Sequence, residues 1–313
     1  MTNATQMLSL IIDNIEKVIV GKRRSIELMV ISLMCGGHIL IEDVPGVGKT
    51  TMVSSLAKSL NLEFKRVQFT SDILPSDIIG LTIYDSKSTK FHFHPGAVMT
   101  NILLADEINR TSPKTQSSLL EAMEERQITV DGNTYKLPSP FIVLATQNPI
   151  EYIGTFPLPE AQLDRFFMKI KIGYPAYQEE MKILERFRGS NPLYQLESVA
   201  EAKDIVLLQQ LVEQVHAHQS IHQYVVNIIR ATRNHGDIEL GVSPRGSLAL
   251  LHASKAWAIY QGRDYVIPDD VKLMVVPVLS HRIIMKPEAG LKNSDAVTVL
   301  ESILKAINVP IGD

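Results

Sequence analysis

The residues best suited to chemistry form one short stretch, Glu42-Asp43-Val44-Pro45-Gly46-Val47-Gly48-Lys49-Thr50-Thr51. The apolar run Ile39-Leu40-Ile41 enters it. Behind it Met52, Val53, Leu56, Ala57 and Leu60 recur at helical spacing, so the pattern reads strand, loop, helix. A loop in that setting can wrap a phosphate. Gly46 and Gly48 let the backbone turn its N–H groups inward. The helix opening at Gly48 contributes the positive end of its dipole, and Lys49 a formal charge for β- and γ-phosphates. Thr50 offers a hydroxyl to Mg²⁺. One position departs from G-x-x-x-x-G-K-[ST], because its first glycine is replaced by Asp43. Aspartate tolerates turn geometries, so the loop is expected to form all the same.

A second apolar run, Ile102-Leu103-Leu104-Ala105, ends in Asp106-Glu107. At the carboxyl end of a strand Asp106 is suited to hold Mg²⁺, directly or through water, and Glu107 to polarise an attacking water. Asn148 ends the run Phe141–Ala145 in the same way. Its amide can hydrogen-bond a γ-phosphate and the water together, although Asn148-Pro149 is also an ordinary turn. Two arginines, Arg165 in Leu163-Asp164-Arg165-Phe166 and Arg245 in Ser243-Pro244-Arg245-Gly246, can neutralise charge on a transferring phosphoryl group. Each fits a surface salt bridge equally well. Ser243 reads as the cap of the helix that Arg245 begins. His92 and His94 alternate with Phe91 and Phe93 as strand residues do. His216, His218 and His222 lack the glutamate of an H-E-x-x-H zinc motif, so metal binding is not expected there.

The elements that must position these groups are legible along the chain. Leu8, Ile11, Ile12, Ile15 and Val18 form a helical stripe, broken at Ile19–Lys22, and a second helix spans Arg24–Met34. Glu63–Phe69 reads as a strand. Leu74-Pro75-Ser76-Asp77 marks a turn or a short helix. Leu81–Tyr84 and Phe91–His94 read as a hairpin around Asp85–Lys90. Ser112-Pro113 opens a helix that runs to about Gln127, and Ile128–Val130 with Thr134–Leu137 form a second hairpin around Asp131-Gly132-Asn133. Phe166–Ile172 supplies the fifth strand of a core. Beyond Gly173 strand signals stop, and helices are expected at 176–188, 202–218, 221–234, 244–261, 268–282 and 294–308. The fold class is α/β: residues 1–173 form a core with a five-stranded, mainly parallel sheet and helices on both faces. Residues 174–313 form an all-α domain.

Of the 313 residues 45% are hydrophobic and 21% charged, as in a soluble globular protein. A formal net charge of −3 gives no general attraction to nucleic acid. Cys35 is the only cysteine, which excludes an internal disulfide and cysteine-cluster metal sites. Asp13 and Glu16 interrupt any signal-peptide core, and the apolar stretch Leu28–Cys35 is too short to span a bilayer. No membrane insertion is expected, and the expected location is the cytoplasm.

In its order of motifs the sequence resembles the AAA+ ATPases, and within them the MoxR family. The resemblance rests on Glu42–Thr50, Ala105-Asp106-Glu107-Ile108-Asn109-Arg110, Ala145-Thr146-Gln147-Asn148-Pro149 and Phe156-Pro157-Leu158-Pro159-Glu160-Ala161-Gln162-Leu163-Asp164-Arg165-Phe166, and it covers nearly the whole chain. It implies an AAA+ P-loop core followed by a helical lid, with ATP and Mg²⁺ as cofactors. Lys49 and Thr50 then correspond to Walker A, Asp106 and Glu107 to Walker B, and Asn148 to sensor 1. Arg165 corresponds to the arginine finger, acting on a neighbouring subunit, and Arg245 to sensor 2, with Lys49 at the chain's own phosphates. Val18-Ile19-Val20-Gly21 matches the segment that lines the adenine pocket. The two hairpins match the helix-2 insert and the pre-sensor-1 hairpin. The resemblance further implies a homo-oligomeric ring, commonly a hexamer, that matures client proteins, often beside partners with a von Willebrand factor A domain. Rival readings are a chelatase-like motor that drives metal insertion, a nucleic-acid motor, and a module that holds ATP without hydrolysis. The acidity opposes the second, and an intact Glu107 the third.

Overall fold

The computed structural model describes residues 2–148, 154–189, 191–291 and 294–310; Pro149 of the Asn-Pro pair lies outside them. α1 (Thr2–Glu16) turns the stripe Leu8, Ile11, Ile12 and Ile15 inward, and α2 (Arg23–Met34) follows. β1 (Ile39–Glu42) leads through the glycine loop into α3 (Lys49–Ser59) and then β2 (Phe64–Gln68). The one-turn helix α4 (Pro75–Ile79) precedes the antiparallel hairpin of β3 (Gly80–Asp85) and β4 (Lys90–Pro95). β5 (Ile102–Asp106) passes through a 3₁₀ turn into α5 (Pro113–Glu125). Ser112 caps α5 as expected, its hydroxyl accepting from Thr115 N–H at 3.4 Å. The second hairpin, β6 (Gln127–Val130) with β7 (Asn133–Lys136), precedes β8 (Ile142–Gln147). α6 (Glu160–Leu163) and β9 (Met168–Ile170) complete this part.

β1, β2, β5, β8 and β9 form one sheet in the order β2-β5-β8-β1-β9, and every neighbouring pair is parallel. Its residues alternate between two apolar clusters. Ile39, Ile41, Ile102, Leu104, Ile142 and Leu144 face α1, α2 and α3. Leu40, Leu103, Ala105, Val143 and Ala145 face α5 and the hairpins. Burial on both faces is why β1, β5 and β8 read as unbroken apolar runs rather than alternating ones. Phe93 of β4 stacks on Tyr135 of β7, with ring centroids 4.0 Å apart, and so joins the two hairpins.

The remainder comprises α7 (Tyr177–Arg186), α8 (Ala202–Gln214), α9 (Gln219–Asn234), β10 (Ile238–Leu240), α10 (Pro244–Tyr260), α11 (Pro268–Leu279), β11 (Ile284–Met285), α12 (Pro287–Leu291) and α13 (Ala296–Ala306). It is helical as expected, and it adds the short α12 and an antiparallel ribbon in which β10 and β11 pair. Strands of three and two residues are too short for alternation to show. The helix expected over 202–218 stops at Gln214, because His216 N–H leaves it to bond Asp264 O at 2.8 Å. His218 instead caps α9, its ring facing Ser220. The three histidines therefore do not share a helix face. Among the described residues no helix is long and apolar enough to cross a membrane.

Candidate active site

Parallel strands place all their carboxyl ends along one edge of a sheet, and candidate residues from three strands gather there. β1 ends in the phosphate loop, β5 in Asp106-Glu107 and β8 in Asn148. In the loop Gly46 and Gly48 hold φ of +85° and +88°, which L side chains rarely adopt, and nothing stands within 4 Å where their Cβ atoms would be. Gly48 caps α3, whose first residues are Lys49, Thr50 and Thr51. The Lys49 ammonium donates to the carbonyls of Asp43 at 3.1 Å and Val44 at 3.2 Å.

Asp43 has a definite place. Its Oδ1 accepts the Val44 N–H at 2.9 Å, and its Oδ2 accepts those of Ile172 at 2.6 Å and Gly173 at 2.7 Å. The residue in the first-glycine position thus ties the loop to the segment leaving β9. A glycine there has no side chain to do so.

Around the carboxylates one hydroxyl organises two groups. Thr146 Oγ1 donates to Asp106 Oδ1 at 2.6 Å and accepts the Glu107 N–H at 2.8 Å. Glu107 sits at φ +58°, a left-handed conformation costly for a non-glycine and concentrated at functional sites. Its Oε2 accepts from Gln68 Nε2 at 2.7 Å and pairs with Arg110 at 3.2 Å. The second oxygen of Asp106 pairs with Arg66 at 2.7 Å. Sequence reading missed Gln68 and Arg66, since polar residues on an edge strand look like solvated surface. Asn148 is buried at the same edge. Thr50 and Asp106 offer oxygen donors only, the ligand type Mg²⁺ takes beside nucleotide phosphates.

Beside the loop a cavity of about 450 Å³ is lined by Val18, Ile19, Val20, Gly46, Val47, Gly48 and Thr51. Its far wall is Tyr174, Pro175, Ile183, Leu184 and Phe187. A largely apolar slot against a phosphate loop, with Lys22 and Glu180 as its charged lining residues, suits a nucleotide base. Pro45 of the loop and Lys49 and Thr50 of α3 lie outside its wall. Gly21 turns away to the Glu179 side chain, which would collide with any Cβ there. The α7 residues of the wall could not be assigned from sequence, because that helix buries no residue and its apolar side chains look like scattered surface.

Arg165 and Arg245 lie elsewhere. Arg165 precedes β9, and Phe167 N–H donates to the carbonyl of His38, just before β1, at 2.7 Å. That is the amino edge of the sheet. α5 runs back to the same edge: His38 Nε2–H donates to Met123 O at 2.9 Å while Nδ1 accepts the Val143 N–H at 2.9 Å. Burial pushes the His38 pKa down to about 4, which keeps the ring neutral. Near the end of α5, Glu124 pairs with Arg165 at 2.7 Å through Oε2 and with Arg245 through Oε1. β1 spans four residues, so at roughly 3.3 Å each about 13 Å of strand separates this edge from the phosphate-loop edge. Arg245, expected at the chain's own phosphates, lies here with Arg165 on Glu124. Ser243 takes the cap position of α10 as expected, but its hydroxyl does not bond the helix: it donates to Asp164 Oδ2 at 2.8 Å, an anion being the stronger acceptor.

A five-stranded parallel sheet with a phosphate loop, an Asp-Glu strand end and a helical lid defines an AAA+ ATPase. Residues 38–168 match the model of the ATPase family associated with various cellular activities (AAA), and residues 230–303 that of the AAA lid domain. Chaperone MoxR1 of Mycobacterium tuberculosis is 40% identical over 95% of this chain and 80% of its own. The uncharacterized protein YeaC of Bacillus subtilis is 51% identical over 97% of this chain and 95% of its own. A crystal structure of a protein from Cytophaga hutchinsonii, 39% identical, superposes with a TM-score of 0.93 over 99% of this chain and 97% of that one. The chain belongs to the MoxR family of AAA+ ATPases.

Proposed function

We propose that this chain is a Mg²⁺-dependent ATPase that assembles as a ring, a hexamer, and converts hydrolysis into remodelling of a client protein. Residues 1–173 are then the nucleotide-binding core and residues 174–313 the lid. The observation that carries the reading is the division of charge between two sheet edges. Lys49, Thr50, Asp106, Glu107 and Asn148 stand at the carboxyl edge, and Arg165 with Arg245 at the amino edge. One chain cannot bring both sets to one phosphate. A neighbour can.

In this reading Lys49 exchanges its two carbonyl partners for phosphate oxygens. Thr50 and Asp106 hold Mg²⁺, which when bound offsets charge on the β- and γ-phosphates. Glu107, steadied by Gln68, polarises the attacking water, and Asn148 orients it. Arg165 and Arg245 leave Glu124 for the neighbour's γ-phosphate. An arginine supplied across an interface is worth about 10³–10⁵ in rate. The client is a protein, with a von Willebrand factor A domain partner as the candidate companion. Relatives that span nearly the whole chain carry MoxR names, which favours this reading over a chelatase-like motor.

The test mixes two inactive variants, Arg165→Ala and Lys49→Ala. In mixed rings some sites join an intact Lys49 loop to an intact Arg165, and partial activity is expected to return. Turnover per subunit should also rise with protein concentration. No recovery despite demonstrated co-assembly would sink the reading.

A further inference from the structure

Arg282 lies in the 3₁₀ turn after α11, and its side chain is only 2% exposed. Nearly all its bonds go to the loop that carries Arg165. Nε donates to Asp164 Oδ1 at 2.8 Å. Nη2 donates to the carbonyls of Phe166 at 2.6 Å and Asp164 at 3.3 Å, and Nη1 to that of Phe167 at 3.1 Å. The remaining bond, to Val278 O, anchors the guanidinium in α11. Two other residues of the helical part join in. Ser243 takes the other oxygen of Asp164 at 2.8 Å, and His281 Nε2–H donates to Phe166 O at 2.9 Å. Gly246 leaves the slot open, because a Cβ there would lie 2.2 Å from Val242 Cγ1 and 3.1 Å from Arg282 Cδ. Arg165 itself points out of this clamp, to Glu124.

We propose that Arg282 is a positioning residue: it fixes the backbone on both sides of Arg165, and so aims Arg165 at the neighbouring subunit's nucleotide. Because Arg282 belongs to the helical part, the aim follows wherever that part sits. Its planar fork reaches one carboxylate and three carbonyls of this loop at once, which a lysine ammonium cannot do. The inference rests on the reading of Arg165 given above.

The experiment uses Arg282→Lys in the full chain. Turnover should fall about 10²-fold, as a misplacement of roughly 1 Å costs, with ATP affinity and KM little changed. Mixing Arg282→Lys with Lys49→Ala should restore activity, as mixing Arg165→Ala with Lys49→Ala does. That recovery separates aiming from a general loss of structure, which would spoil the variant's own pocket as well. Ser243→Ala is the second variant, for the case in which Arg282→Lys does not fold. It removes one bond to Asp164 and should lower turnover roughly 5-fold, with the same pattern of recovery. If a folded Arg282→Lys turns over normally, the proposal is wrong. It is also wrong if Lys49→Ala rescues Arg165→Ala but neither Arg282→Lys nor Ser243→Ala. If Lys49→Ala rescues none of them, the reading of Arg165 itself fails, and this proposal with it.

Discussion

Arg165 and Arg245 are held on the two oxygens of a single carboxylate, that of Glu124. The pair is half exposed, so the value of these contacts lies in placement more than in stability. Two arginines aimed from one point should serve one neighbouring phosphate. Arg245→Ala is therefore expected to behave as Arg165→Ala does in mixing experiments. Each should recover activity with Lys49→Ala, and the two together should recover none. Recovery between the two arginine variants would show that they act on different nucleotides.

Glu107→Gln should bind ATP as the unaltered chain does and hydrolyse it very slowly. The amide keeps the shape of the side chain but loses the charge that polarises water. Lys49→Ala should weaken ATP binding itself. Nucleotide titration beside single-turnover hydrolysis separates the two, and equal losses of affinity would contradict the assignment.

Asp43→Gly writes the full phosphate-loop motif into the chain, yet it should destabilise the protein. The carboxylate accepts the N–H groups of Val44, Ile172 and Gly173, and the residue is buried. Leaving the buried Ile172 donor unpaired costs about 1–3 kcal/mol, and the half-buried Val44 and Gly173 donors, which water can reach, add less, so a loss of roughly 2–4 kcal/mol is expected in denaturant unfolding. An unchanged midpoint would mean that water replaces the carboxylate freely.

The tip of the first hairpin should matter to the client and not to hydrolysis. Asp85 accepts the Lys87 N–H within the turn, and Tyr84 and Phe91 pair nearby while largely exposed. Replacing Asp85–Lys90 by a short Gly-Ser turn should leave basal ATPase intact and impair client maturation. Collapse of basal turnover would place the tip at the subunit interface.

Acid should destabilise the fold through His38. Its folded pKa, about 4, lies below the ordinary 6.5, because burial penalises the charged ring. The unfolded chain therefore binds the proton first, and stability is full above pH 6.5 and falls between 6.5 and 4. The loss should approach about 3 kcal/mol. His38→Gln should flatten that part of a pH series of denaturant midpoints; an unchanged slope would assign it to other groups.

The sheet and the hairpins were legible because local pattern decides them. Ile102–Ala105 and Phe141–Ala145 are buried on both faces and read as apolar runs, while Asp131-Gly132 announces its own turn. Residues joined by long-range contacts were not legible. Nothing near Ser243 in the sequence points to Asp164, and nothing near Arg245 to Glu124. The role of Asp43 was hidden for a related reason: a motif names what a position usually holds, and the Ile172 and Gly173 N–H groups that bond the aspartate come from the distant segment leaving β9. The far wall of the cavity beside the loop needed the structure too, since Leu184 and Phe187 become a wall only when α7 lies across the loop.

A subunit with its phosphate loop at one sheet edge and its arginines at the other is a polar tile. Two such tiles in isologous contact would set like edges together and make no complete site. Head-to-tail contact makes one site per junction, so an open row always has one fewer site than it has subunits. Only closure makes the numbers equal. In this arrangement the last subunit to join completes two sites at once, and turnover per subunit becomes a measure of whether the ring is shut.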